Sequence, residues 1–447
     1  MSYSKLFKKV LSCTIVMSII LMLSGCTVGL DMTTDEFLSP PRARGEMYEI
    51  DKVLKSSVNE KFTLRYPTDG DYRSAYILTN LTGGNTTEFA LAFYSMLNTE
   101  NVATMHLNLM KKTGENWISI SDISVSAVGV EKVDIIDLNN DDIKEIVVGW
   151  NIYGGVDKRV MVYSLKGLSL IPRIQEPYTE FMCCKLKSDG QTGLFVLEHN
   201  KTESVSAAKY FAFDNSGVRE LGSCNLDGSV ASYAKPVLSS LSNGTPAVFI
   251  DSVVGAGMQT EIVFLKGNKL VSPLYQKTPQ TVLATYRNEQ VASMDINQDG
   301  VMEIPLRLND DEFVLNTSSE SLNPIIRWCT YNGKEFKTVM YAAMNYTDGY
   351  FLEIPKKWLN VITISRYVEN RLRTVYLWDS ESEAVLSELV RIRTVSDVEW
   401  DKENNGFSEY TEILRSEGLV YVAMYGSYYG PEKTNEAEIK KLFHLLG

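Results

Sequence analysis

The sequence predicts a mainly β protein, namely a β-propeller of about five to seven blades with a short N-terminal helix and a C-terminal α+β domain. One segment occurs five times: a short apolar strand, a polar loop of nine residues and another apolar strand. The residues between the loops have the alternation and the Lys-Gly turns of β-hairpins. Four-stranded units that repeat about every fifty residues are typical of propeller blades. A stacked sandwich and a β-solenoid are the alternatives.

The first 25 residues predict an export signal. Lys5, Lys8 and Lys9 precede an apolar run, 10–23, which leads into Leu-Ser-Gly-Cys ending at Cys26. As a helix of about 14 residues the run would be ~21 Å long, too short to cross a ~30 Å hydrocarbon core comfortably. The ending resembles the lipobox of bacterial lipoproteins, which implies that the Cys26 sulfur carries a diacylglycerol. An ordinary secreted protein cleaved nearby is the alternative.

Four regions are predicted along the chain. Within residues 46–58 a short helix should precede the repeats, because helical spacing places on one face Met47, Ile50, Val53, Leu54 and Val58. From about Tyr350 the period fails, and the pattern changes to strands at 361–367, 372–378, 384–395 and 419–425 with a closing helix around 435–446. The predicted regions are a signal peptide (1–25), a linker from the lipidated cysteine (26–45), a propeller (46–349) and an α+β domain (350–447).

Composition excludes several classes of site. The chain has 44 basic and 56 acidic side chains, a net charge of −12, so nucleic acid and anionic lipid headgroups are not expected as general partners. Its three histidines, His106, His199 and His444, are far apart, so a histidine zinc site is not expected. Beyond Cys13 and Cys26, four cysteines remain, and we expect buried free thiols.

The repeated loops carry the candidate metal ligands. We number them I to V; they begin at Asn80, Asp137, Lys185, Ser239 and Asp295, so the separations are 57, 48, 54 and 56 residues. Loops II (137–145) and V (295–303) have oxygen side chains at positions 1, 3, 5 and 9. A loop that curls round an ion presents alternate side chains inward, and the carbonyl at position 7 adds an oxygen. The predicted ligands are Asp137, Asn139, Asp141, Ile143 (carbonyl) and Glu145 in loop II, and Asp295, Asn297, Asp299, Val301 (carbonyl) and Glu303 in loop V.

Calcium is the predicted cation, with a structural role at two sites, because calcium accepts irregular oxygen shells whereas magnesium demands a tight octahedron. An EF-hand is excluded, because position 12 is Val148 or Leu306 and the flanking sequences are strands. Asp142 stands where a glycine usually permits the bend. Loop I lacks the central carboxylate, and loops III and IV are expected to be turns only. The alternative for loops II and V is that Asn-Asp and Asp-Gly are ordinary turn residues.

The pattern Asp-x-Asn-x-Asp-Gly-x-x-Glu between apolar strands resembles the calcium loops of FG-GAP or VCBS-type repeats of integrin-like β-propellers. The resemblance covers roughly residues 75–345 and implies structural calcium at the aspartates, asparagines and glutamates of loops II and V. The Phe-Gly and Gly-Ala-Pro landmarks of that family are absent. The whole arrangement, with 61–75 as the lead-in to a first blade, resembles VCBS-repeat lipoproteins of Gram-positive bacteria.

No enzymatic activity is expected. The sequence has no Gly-x-Ser-x-Gly, His-Glu-x-x-His or phosphate-loop motif, and carboxylates crowded in a turn do not suit glycosidase chemistry. We therefore expect a lipid-anchored propeller on the extracytoplasmic face of the cell membrane, stabilised by Ca²⁺, that binds or assembles an envelope protein or glycan. The alternatives are an extracytoplasmic hydrolase of cell-wall polymer or glycan, and a structural stalk.

Overall fold

The computed structural model describes residues 45–58, 60–84, 87–97, 102–152, 157–187, 189–277, 280–308, 325–367, 370–379, 381–382, 384–402 and 407–446. The predicted signal peptide and Cys26 lie outside these residues. Strands predominate, so the mainly β class is confirmed. The helices are α1 (Glu46–Ser57), the 3-10 helix η1 (Lys356–Trp358), α2 (Asp397–Lys402) and α3 (Glu436–Leu442). Among the described helices none is long and apolar enough to cross a membrane.

The first two sheets follow α1 directly. Sheet 1 contains β1 (Phe62–Leu64), β2 (Tyr76–Thr79), β3 (Phe89–Leu97), β4 (Ala103–Thr113) and β5 (Asn116–Val125). Both β1 and β2 pair with the same edge of β3, and β4 and β5 continue the sheet. Sheet 2 contains, in chain order, β6 (Ala127–Ile136), β7 (Glu145–Ile152), β8 (Lys158–Lys166) and β9 (Ser169–Pro177). All these pairings are antiparallel.

Sheets 3 and 4 repeat this arrangement. Sheet 3 contains β10 (Glu180–Cys184), β11 (Gly193–Asn200), β12 (Val205–Asp214) and β13 (Gly217–Leu226) in chain order. Sheet 4 contains β14 (Ser232–Tyr233), β15 (Val237–Ser240), β16 (Pro246–Val254), β17 (Gly257–Lys266) and β18 (Lys269–Val271). Here β14 and β15 both pair with β16. A two-stranded ribbon follows, β19 (Gln276–Lys277) with β20 (Gln280–Thr281).

The last two sheets include strands from the end of the chain. Sheet 5 contains β21 (Ile304–Leu306), β22 (Ile325–Tyr331), β23 (Phe336–Asn345), β24 (Tyr350–Glu353) and β30 (Phe443–Leu445). Sheet 6 contains β25 (Ile362–Tyr367), β26 (Leu372–Asp379), β27 (Ala384–Ser396), β28 (Thr411–Ser416) and β29 (Leu419–Tyr425). Its spatial order is β25-β26-β27-β29-β28. The described residues therefore form six sheets of four or five strands.

Burial along the strands shows how the sheets pack. The central strands β3, β7, β11 and β16 are apolar runs with consecutive buried residues, which requires both faces of the strand to be covered. The last strands of sheets 1 to 3 instead mix exposed and half-buried residues. Sheets with a doubly covered centre and a solvated outer edge are what radial packing of propeller blades produces.

Each pair of consecutive sheets shares a hydrophobic core. Phe93 of sheet 1 packs with Trp150 of sheet 2, and equivalent clusters join sheets 2 and 3, 3 and 4, 4 and 5, and 5 and 6. Lys235 Nζ, in the segment between β14 and β15 of sheet 4, lies 3.4 Å from Oδ2 of Asp69, in the segment between β1 and β2 of sheet 1. The chain thus curves back from sheet 4 toward sheet 1, as it does when blades surround a common centre. We describe the fold as a β-propeller.

The C-terminal part contains elements that were not predicted, among them α2 and β28, and its closing helix is shorter than predicted. The predicted closing helix (435–446) begins where expected, with Asn435 accepting the Glu438 N–H as a cap, but it ends at Leu442. Residues 443–445 instead form β30, which pairs with β24. Strands on both sides of residue 350 consequently share sheet 5, and one core joins sheets 5 and 6. The division of the chain into domains at residue 350 stays a prediction.

Candidate metal-binding loops

Loops II and V occupy equivalent places in sheets 2 and 5. Loop II connects β6 to β7, and the residue before it, Ile136, pairs with Glu145 at its ninth position. Loop V precedes β21, and Met294 pairs with Glu303 in the same way. An antiparallel pair thus closes each loop at its base, so the strands fix the distance between the first and last predicted ligands.

The first side chain of each loop binds the backbone of its own turn. Asp137 accepts N–H groups from residues 139 to 142, at distances of 2.7 to 3.4 Å. Asp295 accepts the N–H of Asp299 at 3.0 Å and that of Gly300 at 2.7 Å. In both loops, therefore, the carboxylate at position 1 accepts hydrogen bonds from the backbone N–H groups of positions 5 and 6.

Positions 3 and 5 follow the same scheme in both loops. Asn139 Oδ1 accepts the Asp141 N–H at 3.1 Å, and Asp141 Oδ1 accepts the Ile143 N–H at 2.8 Å. In loop V the corresponding bonds, from Asp299 to Asn297 and from Val301 to Asp299, measure 3.0 and 2.9 Å. The two loops are identical at only four of their nine positions, yet both of these bonds recur at the same positions.

The backbone conformations also agree. Asn140 and Gln298, at position 4, both have φ of 59°. At position 6, Asp142 has φ of 65° and Gly300 has φ of 86°, so both lie in the left-handed region. Aspartate enters that region more readily than most non-glycine residues. The missing glycine of loop II therefore does not change the bend.

The glutamates at position 9 are buried. Glu145 is 2% exposed and Glu303 is 0% exposed. Each accepts one N–H from position 2, that of Leu138 at 2.9 Å or that of Ile296 at 3.1 Å. Burial raises the pKa of Glu145 and raises the pKa of Glu303 to about 7, and the aspartates of each loop add to the effect.

The chemistry of the ligand set fits a hard divalent cation. A buried carboxylate beside other acids is costly unless a positive charge compensates it, and the described residues supply no ion pair to Glu145 or Glu303. The side chains and the carbonyls of Ile143 and Val301 are all oxygen donors, as calcium prefers. Within the described ranges, however, no three His, Cys, Asp or Glu side chains are gathered closely enough to hold a metal as they stand. The calcium sites stay a prediction.

The other loops are held by different groups. In loop I, Asn80 donates its side-chain N–H groups to the carbonyls of Gly83 and Gly84, both at 2.8 Å. Loop III contains its own cation, because Lys187 Nζ lies 2.5 Å from Asp189 Oδ2. In loop IV, Asn243 accepts the Thr245 N–H at 3.0 Å, as in an ordinary turn. None of these four contacts in loops I, III and IV involves a buried glutamate like those of loops II and V.

Neighbouring loops contact each other. The Lys144 N–H of loop II donates to the Leu81 carbonyl of loop I at 2.8 Å. Gln191 of loop III donates to the Leu138 carbonyl of loop II at 3.2 Å. Loops I, II and III thus lie side by side at one end of the propeller, with loop II in the middle.

One polar arrangement was missed from the sequence. His106 of β4 and Asp122 of β5 are 16 residues apart, yet His106 Nδ1 lies 2.7 Å from Asp122 Oδ1. Sequence spacing alone gave no carboxylate near this histidine. A hairpin predicted from Gly114 could have found it: a turn there places residues 106 and 124 opposite each other, so Asp122 is a diagonal neighbour on the same face.

A buried carboxylate outside the loops, that of Glu261, makes the stability of the fold depend on pH. Glu261 of β17 is fully buried and accepts the Asp227 N–H and the Tyr233 hydroxyl, both at 3.0 Å. Burial raises the pKa of Glu261 from its ordinary value of 4.5 to about 7. Because the raised pKa favours the protonated folded state, its contribution to stability is full below about pH 4.5 and is lost as the pH rises through about 7.

We expect Glu261→Gln to remove part of the fall in unfolding free energy that the wild type shows between about pH 5 and 8, on the order of 1–2 kcal/mol. Urea unfolding at several pH values measures it. The control is Glu220→Gln, which removes an exposed carboxylate of sheet 3 and should leave the pH dependence unchanged. Equal pH profiles for Glu261→Gln and the wild type would contradict the assignment.

The comparisons with known proteins give distant structural likenesses only. No protein-family model matches the chain, and no curated protein matches it. Among solved structures, it is similar to the exotype rhamnogalacturonan lyase YesX, with a TM-score of 0.30 and 10% identity over 73% of this chain and 84% of that one. It is similar to the Dos1 propeller, with a TM-score of 0.30 and 7% identity over 65% and 72% of the two chains. A Bacillus licheniformis rhamnogalacturonan lyase has a TM-score of 0.28 and 9% identity over 84% and 92%. These values are too low to carry an argument about activity, so the fold rests on the sheets described above.

Proposed function

We propose that this chain is an extracytoplasmic lipoprotein, anchored in the cell membrane through Cys26, whose calcium-stabilised β-propeller binds or assembles an envelope protein or glycan. The observation that carries the proposal is the shared geometry of loops II and V. Two loops far apart in the sequence hold the same oxygen side chains in the same hydrogen-bond scheme above a buried glutamate. The resemblance of their sequences to FG-GAP or VCBS-type repeats supports the same proposal.

Through its position between loops I and III, loop II would link calcium binding to the binding of the partner. Loop II lies between loops I and III and donates to or accepts from both through backbone groups. A cation that fixes loop II would therefore also limit the movement of its two neighbours. Loops supported by a rigid scaffold are common binding surfaces. We therefore place the partner-binding surface at this end of the propeller, with calcium as a structural ion.

Cross-linking in intact cells tests the binding function. The wild type should capture one envelope protein or glycan reproducibly in calcium, and Asp141→Ala, which alters loop II, should capture several-fold less. Asp214→Ala is the matched control, because Asp214 accepts the N–H groups of Ser216 and Gly217 in an exposed turn outside the five loops. Equal capture by Asp141→Ala and the wild type would overturn the role of loop II. Hydrolysis of wall fragments by the purified protein would favour an enzyme instead.

The anchor has its own test. Thioether formation requires the Cys26 sulfur, so Cys26→Ala should abolish incorporation of a radioactive fatty acid into the protein. Cys13→Ala, which changes a cysteine within the predicted signal peptide, is the control and should be labelled as the wild type is. Equal labelling of Cys26→Ala and the wild type would contradict lipid attachment at this residue.

A further inference from the structure

A polar cavity opens on sheet 1, away from loops II and V. Its volume is about 320 Å³, and it lies beside the C-terminal end of α1. The side chains that matter are Tyr94 of β3, His106 and Asn108 of β4, Asp122 of β5, and Glu60, which follows α1. Strand pairing places Tyr94 opposite His106 and Asn108 opposite Asp122, so the register of the sheet builds the site.

Asp122 is the centre of the cavity's hydrogen bonds. Its Oδ1 lies 2.7 Å from His106 Nδ1, while its Oδ2 accepts the Tyr94 hydroxyl at 2.6 Å and an Asn108 N–H at 2.8 Å. Burial alone would raise the pKa of Asp122, but these three hydrogen bonds hold it below its ordinary value. Asp122 is therefore ionised at neutral pH.

These bonds use up the donors that line the cavity. The Tyr94 hydroxyl has one proton, which Asp122 accepts, and burial raises the pKa of Tyr94 further above neutrality. Asn108 directs its N–H groups at Asp122 and Ser119. Since Asp122 is ionised, the proton of a neutral His106 belongs on Nδ1, and Nε2 then accepts from the Thr104 hydroxyl at 3.3 Å. The remaining hydrogen-bonding capacity of these side chains is therefore that of acceptors, chiefly the carboxylate oxygens of Asp122 and Glu60.

The charged side chains that line the cavity are also negative, which favours a positively charged ligand. Asp122 and Glu60 are its acidic lining residues, and neither lysine nor arginine lines it. Two basic side chains of α1 and β4 form ion pairs of their own, since Lys55 pairs with Asp51 and Lys112 pairs with Glu46. A ligand that suits this cavity must donate hydrogen bonds and carry positive charge. A neutral hydroxylated ligand would donate but leave Asp122 uncompensated.

We propose that this cavity binds a small molecule with a primary ammonium group, which donates to Asp122. An ammonium group has three donors and no acceptor, so it matches a lining of acceptors. The volume is at the lower end of the range for ligand pockets, which suits a short aliphatic amine or a single amino-sugar ring. This site is independent of the calcium loops and extends the proposed binding function to a small-molecule ligand.

Two isosteric probes separate charge from size. We expect n-butylamine to bind the purified full chain, in mild detergent with calcium, with a dissociation constant in the range of about 0.1–10 mM, and 1-butanol to bind at least tenfold more weakly. Calorimetric titration measures both. Asp122→Asn should weaken amine binding at least tenfold, and Glu60→Gln about threefold, since Glu60 lies at the exposed mouth. Glu115→Gln, which removes an exposed charge from the turn of the same sheet, should leave binding unchanged.

A direct measurement locates the ligand even if Asp122→Asn fails to fold. Met96 lines the cavity, whereas Met424 belongs to β29 of sheet 6. With ¹³C-labelled methionine methyl groups, n-butylamine should shift the Met96 signal of the wild-type chain and leave the Met424 signal in place; Met96→Leu assigns the signal. An unshifted Met96 signal, equal binding of 1-butanol, or undiminished binding by a folded Asp122→Asn would each overturn the proposal.

Discussion

Replacement of Arg287 by methionine is expected to lower the free energy of unfolding by about 3–5 kcal/mol, the cost of removing one partner from a buried ion pair. The Arg287 side chain is fully buried, and its Nη2 lies 3.0 Å from Asp251 Oδ1. Its Nε donates to the Val291 carbonyl at 2.7 Å, and its Nη1 donates to Thr260 Oγ1 and the Thr285 carbonyl. Methionine keeps most of the apolar stem but none of these donors, so Asp251 would stay buried without its cation.

The same network positions loop V. Asp251 Oδ2 accepts the Ser293 N–H at 2.8 Å, two residues before Asp295. Arg287 also forms an isolated antiparallel bridge with Met258 of β17. The ion pair therefore holds the segment between sheets 4 and 5 against sheet 4, and we expect its loss to loosen the base of loop V as well.

Urea unfolding of Arg287→Met measures the effect. Arg415→Met is the control: Arg415 pairs with Asp401 at the surface, at 3.1 Å, and solvent screens that pair, so little change is expected. The double variant Arg287→Met with Asp251→Asn should be less destabilised than the sum of the two single variants, because the two side chains interact directly. A loss in Arg287→Met no larger than that in Arg415→Met would show that the buried pair does not stabilise the fold.

The repeating sheets were predictable because each repeat contains its own signal. In each of the first four sheets the strand that follows the loop (β3, β7, β11 or β16) is an apolar run and the loop is polar, so the sequence contrast recurs about every fifty residues. Hairpins such as β8–β9 were predictable from a turn residue, here Gly167 with φ of 65°. These features are local, and local patterns suffice to find them.

The remaining structure depends on contacts between residues far apart in the chain. Nothing in 443–445 shows that this segment pairs with β24, because the partner strand lies about ninety residues earlier. The Asp251–Arg287 pair joins residues 36 positions apart, and the His106–Asp122 pair requires the register of a hairpin. Sequence spacing does not give these distances, so a buried charge network and a cavity were missed although the sheets that contain them were predicted.

The predicted ligands of the candidate site came from the sequence alone, whereas the structure adds the backbone conformation of the loops and the burial of their glutamates. The presence of Asp142 in place of glycine suggested a weaker loop II, yet Asp142 adopts the left-handed conformation of Gly300. The burial of Glu145 and Glu303 could not be predicted from the loops alone, because it depends on how neighbouring sheets cover the start of β7 and β21. That burial is the strongest physical reason to expect a cation there.

Calcium is expected to stabilise the chain by about 3 kcal/mol when both loops are occupied. Extracellular calcium modules have dissociation constants of roughly 0.1–1 mM, and at about ten times that concentration each site adds near 1.4 kcal/mol through mass action. Asp141→Ala and Asp299→Ala each remove the central carboxylate of one loop, and each should abolish about half of the gain. Both aspartates are exposed, so the calcium-free stability should change little.

Thermal unfolding with and without calcium measures the gain in stability, and calorimetric titration with calcium measures the dissociation constant. Asp214→Ala is the matched control, because Asp214 also caps a turn through the N–H groups of Ser216 and Gly217 but lies outside loops II and V. It should lose the turn's hydrogen bonds while keeping the full gain in stability from calcium.

Magnesium at equal concentration should stabilise much less, since a flexible loop cannot offer its tight octahedral shell. Absence of calcium binding in the wild type, or undiminished binding when Asp141 and Asp299 are both alanine, would reduce the two loops to ordinary turns. A gain that falls by half with each single variant requires one independent ion in each loop, because a single shared ion would be lost entirely with either.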